Sequence, residues 1–111
     1  MRREDMVREY LVHLRIERGC SPLTAEAYGA DLADFSAFLD RCGIACLGDV
    51  ERETVVAYEA DLLERGYATS SVDRRVSAIK GLFRFLAREG LVRRNPADTL
   101  QLPKAPERLP D

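Results

Sequence analysis

Tryptophan is absent from the 111 residues, histidine occurs once, and aromatic residues reach only 7%. The lone His13 and the scattered cysteines argue against the constellations that nucleophilic or metal chemistry requires. Cys20, Cys42 and Cys46 do not make a disulfide framework. Cys42 and Cys46 stand in a loose C-x3-C with no second close pair, so with Cys20 and His13 they form no good zinc set. Small thiols in a reducing cytosol are the simpler reading. No catalytic residue, metal or cofactor is expected. The chain lacks any run of about eighteen apolar residues, which excludes a membrane-spanning helix. Its first residues, MRREDMVREY, lack the apolar stretch of a signal peptide. A cytoplasmic location with no membrane partner is expected.

What is present suits one domain with one modest core. Apolar residues make up 46%, enough to fold without staples. The net charge is −2, which argues weakly against nucleic acid, yet the charge is unevenly placed. Residues 1–69 carry 8 basic and 14 acidic side chains, and residues 70–94 carry 7 basic and 2 acidic. A local basic patch, not the total, attracts a polyanion.

The apolar spacing is helical throughout. It predicts helices over 5–18, from Ser21 to before Gly43, over 51–65, and from Ser70 or Ser71 to about Glu89. In the first, Val7, Tyr10, Leu11 and Leu14 share a face. Val12 and Ile16 lie opposite, where they pack under a loop or against another subunit. The second opens on Ser21 as N-cap with Pro22 at the first helical position. Its buried stripe is Tyr28, Leu32, Phe35 and Leu39, with Glu26, Asp34 and Asp40 outside. In the third, with Asp49 a candidate N-cap, Val55, Tyr58 and Leu62 face inward. In the fourth, Val72, Val76, Ile79, Phe83 and Leu86 fall in one narrow arc. Asn95-Pro96 marks a turn or short helix start. The last residues, PKAPERLPD, cannot extend a helix. They read as a linker to a further domain or as a tail. The expected fold is all-α: a compact bundle of four main helices crossing in pairs, with a short C-terminal turn or helix and a Pro-rich tether.

The last helix carries the strongest functional signal. Ser70, Arg74, Ser77, Gly81, Arg84 and Arg88 cluster in the sector opposite its core arc. Arginine suits phosphate because its planar fork donates parallel hydrogen bonds. A solvated charged face is the competing reading. Gly81 weakens the helix by about 1 kcal/mol relative to alanine, which a close approach would justify. A phosphate backbone and another helix are both candidates. Phe85 falls near the basic sector and covers a loop or a neighbour. On this orientation Arg74→Ala should weaken DNA binding without unfolding the bundle, whereas Phe83→Ala should unfold it.

The segments SPLTAEAYGADLADF, SSVDRRVSAIKGLFRFLAREG and NPADTLQLPK, in this order and spacing, resemble the Xer-type tyrosine recombinases of the phage integrase family. The resemblance is to their N-terminal, SAM-like core-binding domain, and it covers nearly the whole chain. It implies one half of a clamp around double-stranded DNA at a recombination half-site, with two helices meeting the major groove and flanking phosphates. It implies DNA contacts from Ser21, Thr24 and Tyr28 on the second helix. On the fourth it implies Ser70, Ser71, Arg74, Arg75, Ser77, Lys80 and Arg84. It also implies contacts to other recombinase protomers through Val12 and Ile16. The chain would then divide into a DNA-binding domain, 1–102, and a linker, 103–111, toward a catalytic domain that supplies the tyrosine nucleophile. Of the tyrosines here, Tyr67 is the most exposed candidate, without the family's catalytic setting. Chromosome dimer resolution and mobile-element transfer both remain open as roles. The alternative is a helical interaction module that self-associates through the Gly81 groove and the Val12/Ile16 strip.

Overall fold

The computed structural model describes residues 2–98. Its order is α1 (Arg3–Ile16), α2 (Pro22–Arg41), a 3-10 turn (Leu47–Asp49), α3 (Arg52–Glu64) and α4 (Thr69–Arg88). Helix α4 packs against each of the other three, and α1 also packs on α2. The protein is thus an all-α bundle of four main helices built around α4. The expected tether over 103–111, and with it the division at residue 102, lies outside the described residues.

The ends of the helices follow local chemistry. Ser21 caps α2, its Oγ accepting from the Thr24 N–H at 3.1 Å, with Pro22 in the first turn. Helix α3 begins one residue later than its spacing suggested, with Glu51 rather than Asp49 at the cap. Glu51 and Thr54 bond each other's backbone N–H in a capping box, while Asp49 closes the preceding turn. Helix α4 starts at Thr69 behind Ala68, with no side-chain cap, so Ser70 and Ser71 lie inside the helix rather than at its mouth. Helix α1 stops at Ile16, and the chain turns through Gly19 at φ +68°, a left-handed conformation natural to glycine.

The core is the one the periodicity predicts, with additions. Leu32, Phe35, Leu39, Val55, Tyr58, Leu62, Val72, Val76, Ile79, Phe83 and Leu86 are all buried. Phe38 joins them, and Tyr58 packs between Phe35 and Phe38 at ring-centroid distances of 5.1 and 5.2 Å. Tyr28 is only half-buried. Asp31, by contrast, lies on the buried stripe. Beyond α4, the Ala97 N–H donates to Asn95 Oδ1 at 2.9 Å, and Asn95 Nδ2 donates to the Lys80 carbonyl at 3.4 Å. This turn tucks Ala97 into the core.

Gly81 has its explanation inside the bundle. A β-carbon there would collide with the Tyr10 hydroxyl and lie 3.3 Å from Tyr10 Cζ. The close approach is by α1 of the same chain, which removes the need for a phosphate backbone or a foreign helix at this glycine. Phe85 is covered the same way, against Tyr10 at 5.7 Å and His13 at 4.8 Å. Gly81→Ala should therefore destabilise by about 1–2 kcal/mol, overpacking outweighing the gain in helix propensity. Tyr10→Phe should recover part of that loss, read as a coupling in urea unfolding of the two single variants and the double.

Candidate functional site

Three environments divide the polar side of α4, although the sequence presented it as one stripe.

The first lies near its N-terminus and is turned toward α2. Arg74 grips Asp31 with two bonds, Nε to Oδ2 at 3.0 Å and Nη2 to Oδ1 at 2.8 Å. The Asp31 side chain is 1% exposed and that of Arg74 is 49% exposed. Arg74 therefore does not stand clear of the core; its guanidinium neutralises a buried carboxylate. Arg75 is more enclosed still. Its Nη1 donates to Asp34 Oδ2 at 3.3 Å, and its guanidinium sits 4.6 Å over the Tyr67 ring. Asp34, expected on the outer face, is half-buried in this network. It accepts from the Tyr58 hydroxyl at 2.6 Å and from Arg65 Nη2 at 2.8 Å. Tyr67 is likewise half-buried, stacked under Arg65 and Arg75 rather than exposed.

The hydrogen bond from Arg65 holds the Asp34 carboxyl below its usual range, with the Tyr58 hydroxyl and Arg75 adding to the pull against burial. Burial and the Asp34 carboxylate push the Tyr58 phenol upward. A carboxyl depressed by folding stabilises the native state above its unfolded pKa, about 3.9. That contribution is lost as pH falls through this value and on through the folded one. Asp34→Asn should lower stability at neutral pH and flatten the loss of stability below about pH 4. Urea unfolding midpoints across an acid series check both.

The second environment faces α3. Lys80 is half-buried, and its charge, after that of Arg52, opposes part of the upward push that burial and Asp73 exert on the Glu59 carboxyl, which stays raised. Ser70 is exposed and Ser71 half-buried beside this end.

The third is a cleft of about 190 Å³ where α1, the start of α2 and α4 meet. Tyr10, Arg18 and Cys20 line it from α1 and its turn, Tyr28 from α2, and Ser77, Gly81, Arg84 and Arg88 from α4. No carboxylate lines it. Four other surface clefts among the described residues each carry at least one acid. Arg18 and Arg84 make no ion pair among the described residues, and Arg88 only approaches its neighbour Glu89 at 3.9 Å. Ser21 and Thr24 stand exposed at the start of α2, their hydroxyls 3.0 Å apart in the cap.

The structure therefore brings Tyr28, Ser77 and Arg84 together and separates them from Arg74, Arg75 and Lys80. Arg18, Tyr10 and Cys20 escaped the sequence reading as site residues. Arg18 follows the last turn of α1, where helical periodicity says nothing, and only the left-handed turn at Gly19 hints that the chain doubles back there. On the far side of α1, Val12 and Ile16 are 49% and 76% exposed. Among the described residues no group of His, Cys, Asp and Glu is placed to hold a metal ion, and no helix is long and apolar enough to cross a membrane.

A four-helix domain with an arginine-lined, acid-free cleft is the class that fold and site define. Residues 7–90 match the model of the phage integrase N-terminal SAM-like domain, and the chain belongs to that family. It is 41% identical over 106 residues to tyrosine recombinase XerC of Roseiflexus castenholzii, covering 96% of this chain and 34% of the relative. It is 44% identical over 101 residues to tyrosine recombinase XerD of Bradyrhizobium diazoefficiens, covering 91% and 31%. XerC of Pseudomonas syringae pv. tomato is 35% identical over 107 residues, covering 96% and 36%. The chain thus spans about a third of the length of these curated relatives. No solved structure gives a significant match.

Proposed function

We propose that this chain binds double-stranded DNA as the N-terminal domain of a site-specific tyrosine recombinase, gripping one recombination half-site. Residues 1–102 form the DNA-binding unit in this reading. Residues 103–111 lead to a catalytic unit that breaks and rejoins the strands. The observation that carries the proposal is the acid-free cleft. In a chain with a net charge of −2, three arginines converge there with no carboxylate among the lining residues. The exposed start of α2, with Ser21 and Thr24, lies next to it in sequence through Cys20. Duplex DNA reaches both with its phosphates, and Ser70, Ser71 and Ser77 extend the contact along α4, whereas Lys80, on the side that faces α3, takes no part in it. Arg74 and Arg75 contribute mainly by fixing α4 to α2 through Asp31 and Asp34.

Fluorescence anisotropy of a short duplex with the 111-residue chain across a salt series tests this. Binding should weaken steeply with salt, and Arg84→Ala should reduce the slope of log K against log salt by about one. Salt-independent or absent binding at low ionic strength would overturn the proposal.

One further contact follows from Val12 and Ile16. These exposed apolar side chains on α1 supply a surface for a neighbouring recombinase protomer on the same DNA. The rival self-association reading loses its Gly81 groove to Tyr10 and keeps only this strip. Sedimentation without DNA separates the two: monomers support a DNA-assembled contact, and concentration-dependent oligomers support the interaction module.

A further inference from the structure

We propose that the cleft between α1 and α4 is a seat for a single phosphate group, built by the Tyr10 hydroxyl, Arg18 and Arg84, with Tyr28 and Ser77 at its edge. The inference rests on the DNA-binding reading for the source of the phosphate, a phosphodiester of the duplex. The site itself follows from independent geometry.

Tyr10 is 5% exposed; its ring lies 5.7 Å from that of Phe85, and its hydroxyl end packs on α4 at Gly81. Its hydroxyl nevertheless has no hydrogen-bond partner among the described residues, and Tyr10 lines the cleft. The hydroxyl is open to solvent through the cleft, so a ligand oxygen entering there can take the place of water as its partner. After burial, the neighbours that act on this hydroxyl are Tyr28, which raises its pKa, and then Arg18 and Arg84, which lower it. Two arginines from different parts of the chain thus line the same cleft as this hydroxyl, and neither is engaged by an acid among the described residues. Burial pushes the Tyr10 phenol up to about 12, which keeps its proton in place to donate. The resulting set is made of donors and cations, the complement of a tetrahedral anion. The cleft, of about 190 Å³, is large enough to admit one phosphate group. Gly81 makes room for the hydroxyl end of Tyr10, and both residues line the cleft.

The two donor types give separable signatures. Arg18→Ala removes a charge and should weaken duplex binding about tenfold at low salt, lowering the salt slope by about one. Tyr10→Phe removes a neutral donor and should weaken binding about threefold with the slope unchanged. Arg15→Ala deletes the same charge outside the cleft and should have the smaller effect. Thermal midpoints of the variants establish that each is folded. Replacing single linkages of the duplex by neutral methylphosphonates should locate one phosphate whose removal makes the Arg18→Ala and wild-type chains bind alike.

Inorganic phosphate is titrated in parallel, followed by NMR shifts of the Gly81 amide and the Tyr10 ring. If duplex binding is salt-dependent but unaffected by Arg18→Ala and Tyr10→Phe, the phosphate seat is overturned while the DNA reading stands. If duplex binding is absent yet inorganic phosphate moves Gly81 and Tyr10 in the wild type and not in Arg18→Ala, the seat stands for a free anion and the DNA reading falls. If neither ligand responds to either substitution, the seat is overturned.

Discussion

Replacing Phe83 by alanine is expected to lower the stability of the bundle by roughly 3–5 kcal/mol, the range for truncating a buried aromatic. Phe83 is fully buried on α4, the helix that packs against all three others. Truncation of a fully buried aromatic leaves a cavity that the surrounding structure closes only in part. Single domains of this size are stable by only about 5–15 kcal/mol, so the variant should be largely unfolded on mild heating. Urea unfolding followed by circular dichroism measures it; a loss below about 1 kcal/mol would mean that α4 is not oriented as described.

Arg74→Ala is expected to cost about 3 kcal/mol, the low end of the range for breaking a buried ion pair. The reason is Asp31 rather than Arg74. The Asp31 carboxylate is 1% exposed, and without Arg74 its nearest cation is Arg75, whose Nε lies 3.9 Å away. The penalty is the buried charge left without its two good hydrogen bonds. Adding Asp31→Asn should therefore restore part of the stability lost in Arg74→Ala, because the second change removes the stranded charge. Additive losses in the double variant would show that the pair is not coupled. The structure thus revises the expectation that Arg74 is a surface arginine whose removal affects only DNA. Any loss of DNA affinity in Arg74→Ala has to be read beside its loss of fold, whereas Arg18 and Arg84 carry no such burden.

Much of the fold was legible because it is written locally. The stripe of Leu32, Phe35 and Leu39, the arc of Val76, Ile79, Phe83 and Leu86, and the start at Ser21-Pro22 all follow from spacing and capping. Asp31 and Phe38 belong to the same α2 spacing, and a wider reading of that stripe would have placed both inside. The acid at position 31 concealed its burial because a carboxylate is normally exposed. Its partner lies 43 residues further on, and no local pattern announces that pair. Lys80 and Arg84 show the same limit: one turn apart on a helix, they face different neighbours because α3 and α1 occupy different sides of α4.

Sequence alone determined that the chain is helical, where each helix runs to within a few residues, and that α4 has an apolar face and a basic face, because these are properties of residue type and a 3.6-residue period. It also carried, through the order of its motifs, the resemblance to the tyrosine recombinases. Only the tertiary structure decided which arginines hold the bundle together and which are left to meet a ligand. That division depends on where the acids of α2 arrive, and on Tyr10 of α1 closing over Gly81. Both are contacts between residues far apart in the chain, and a periodic pattern carries no information about them.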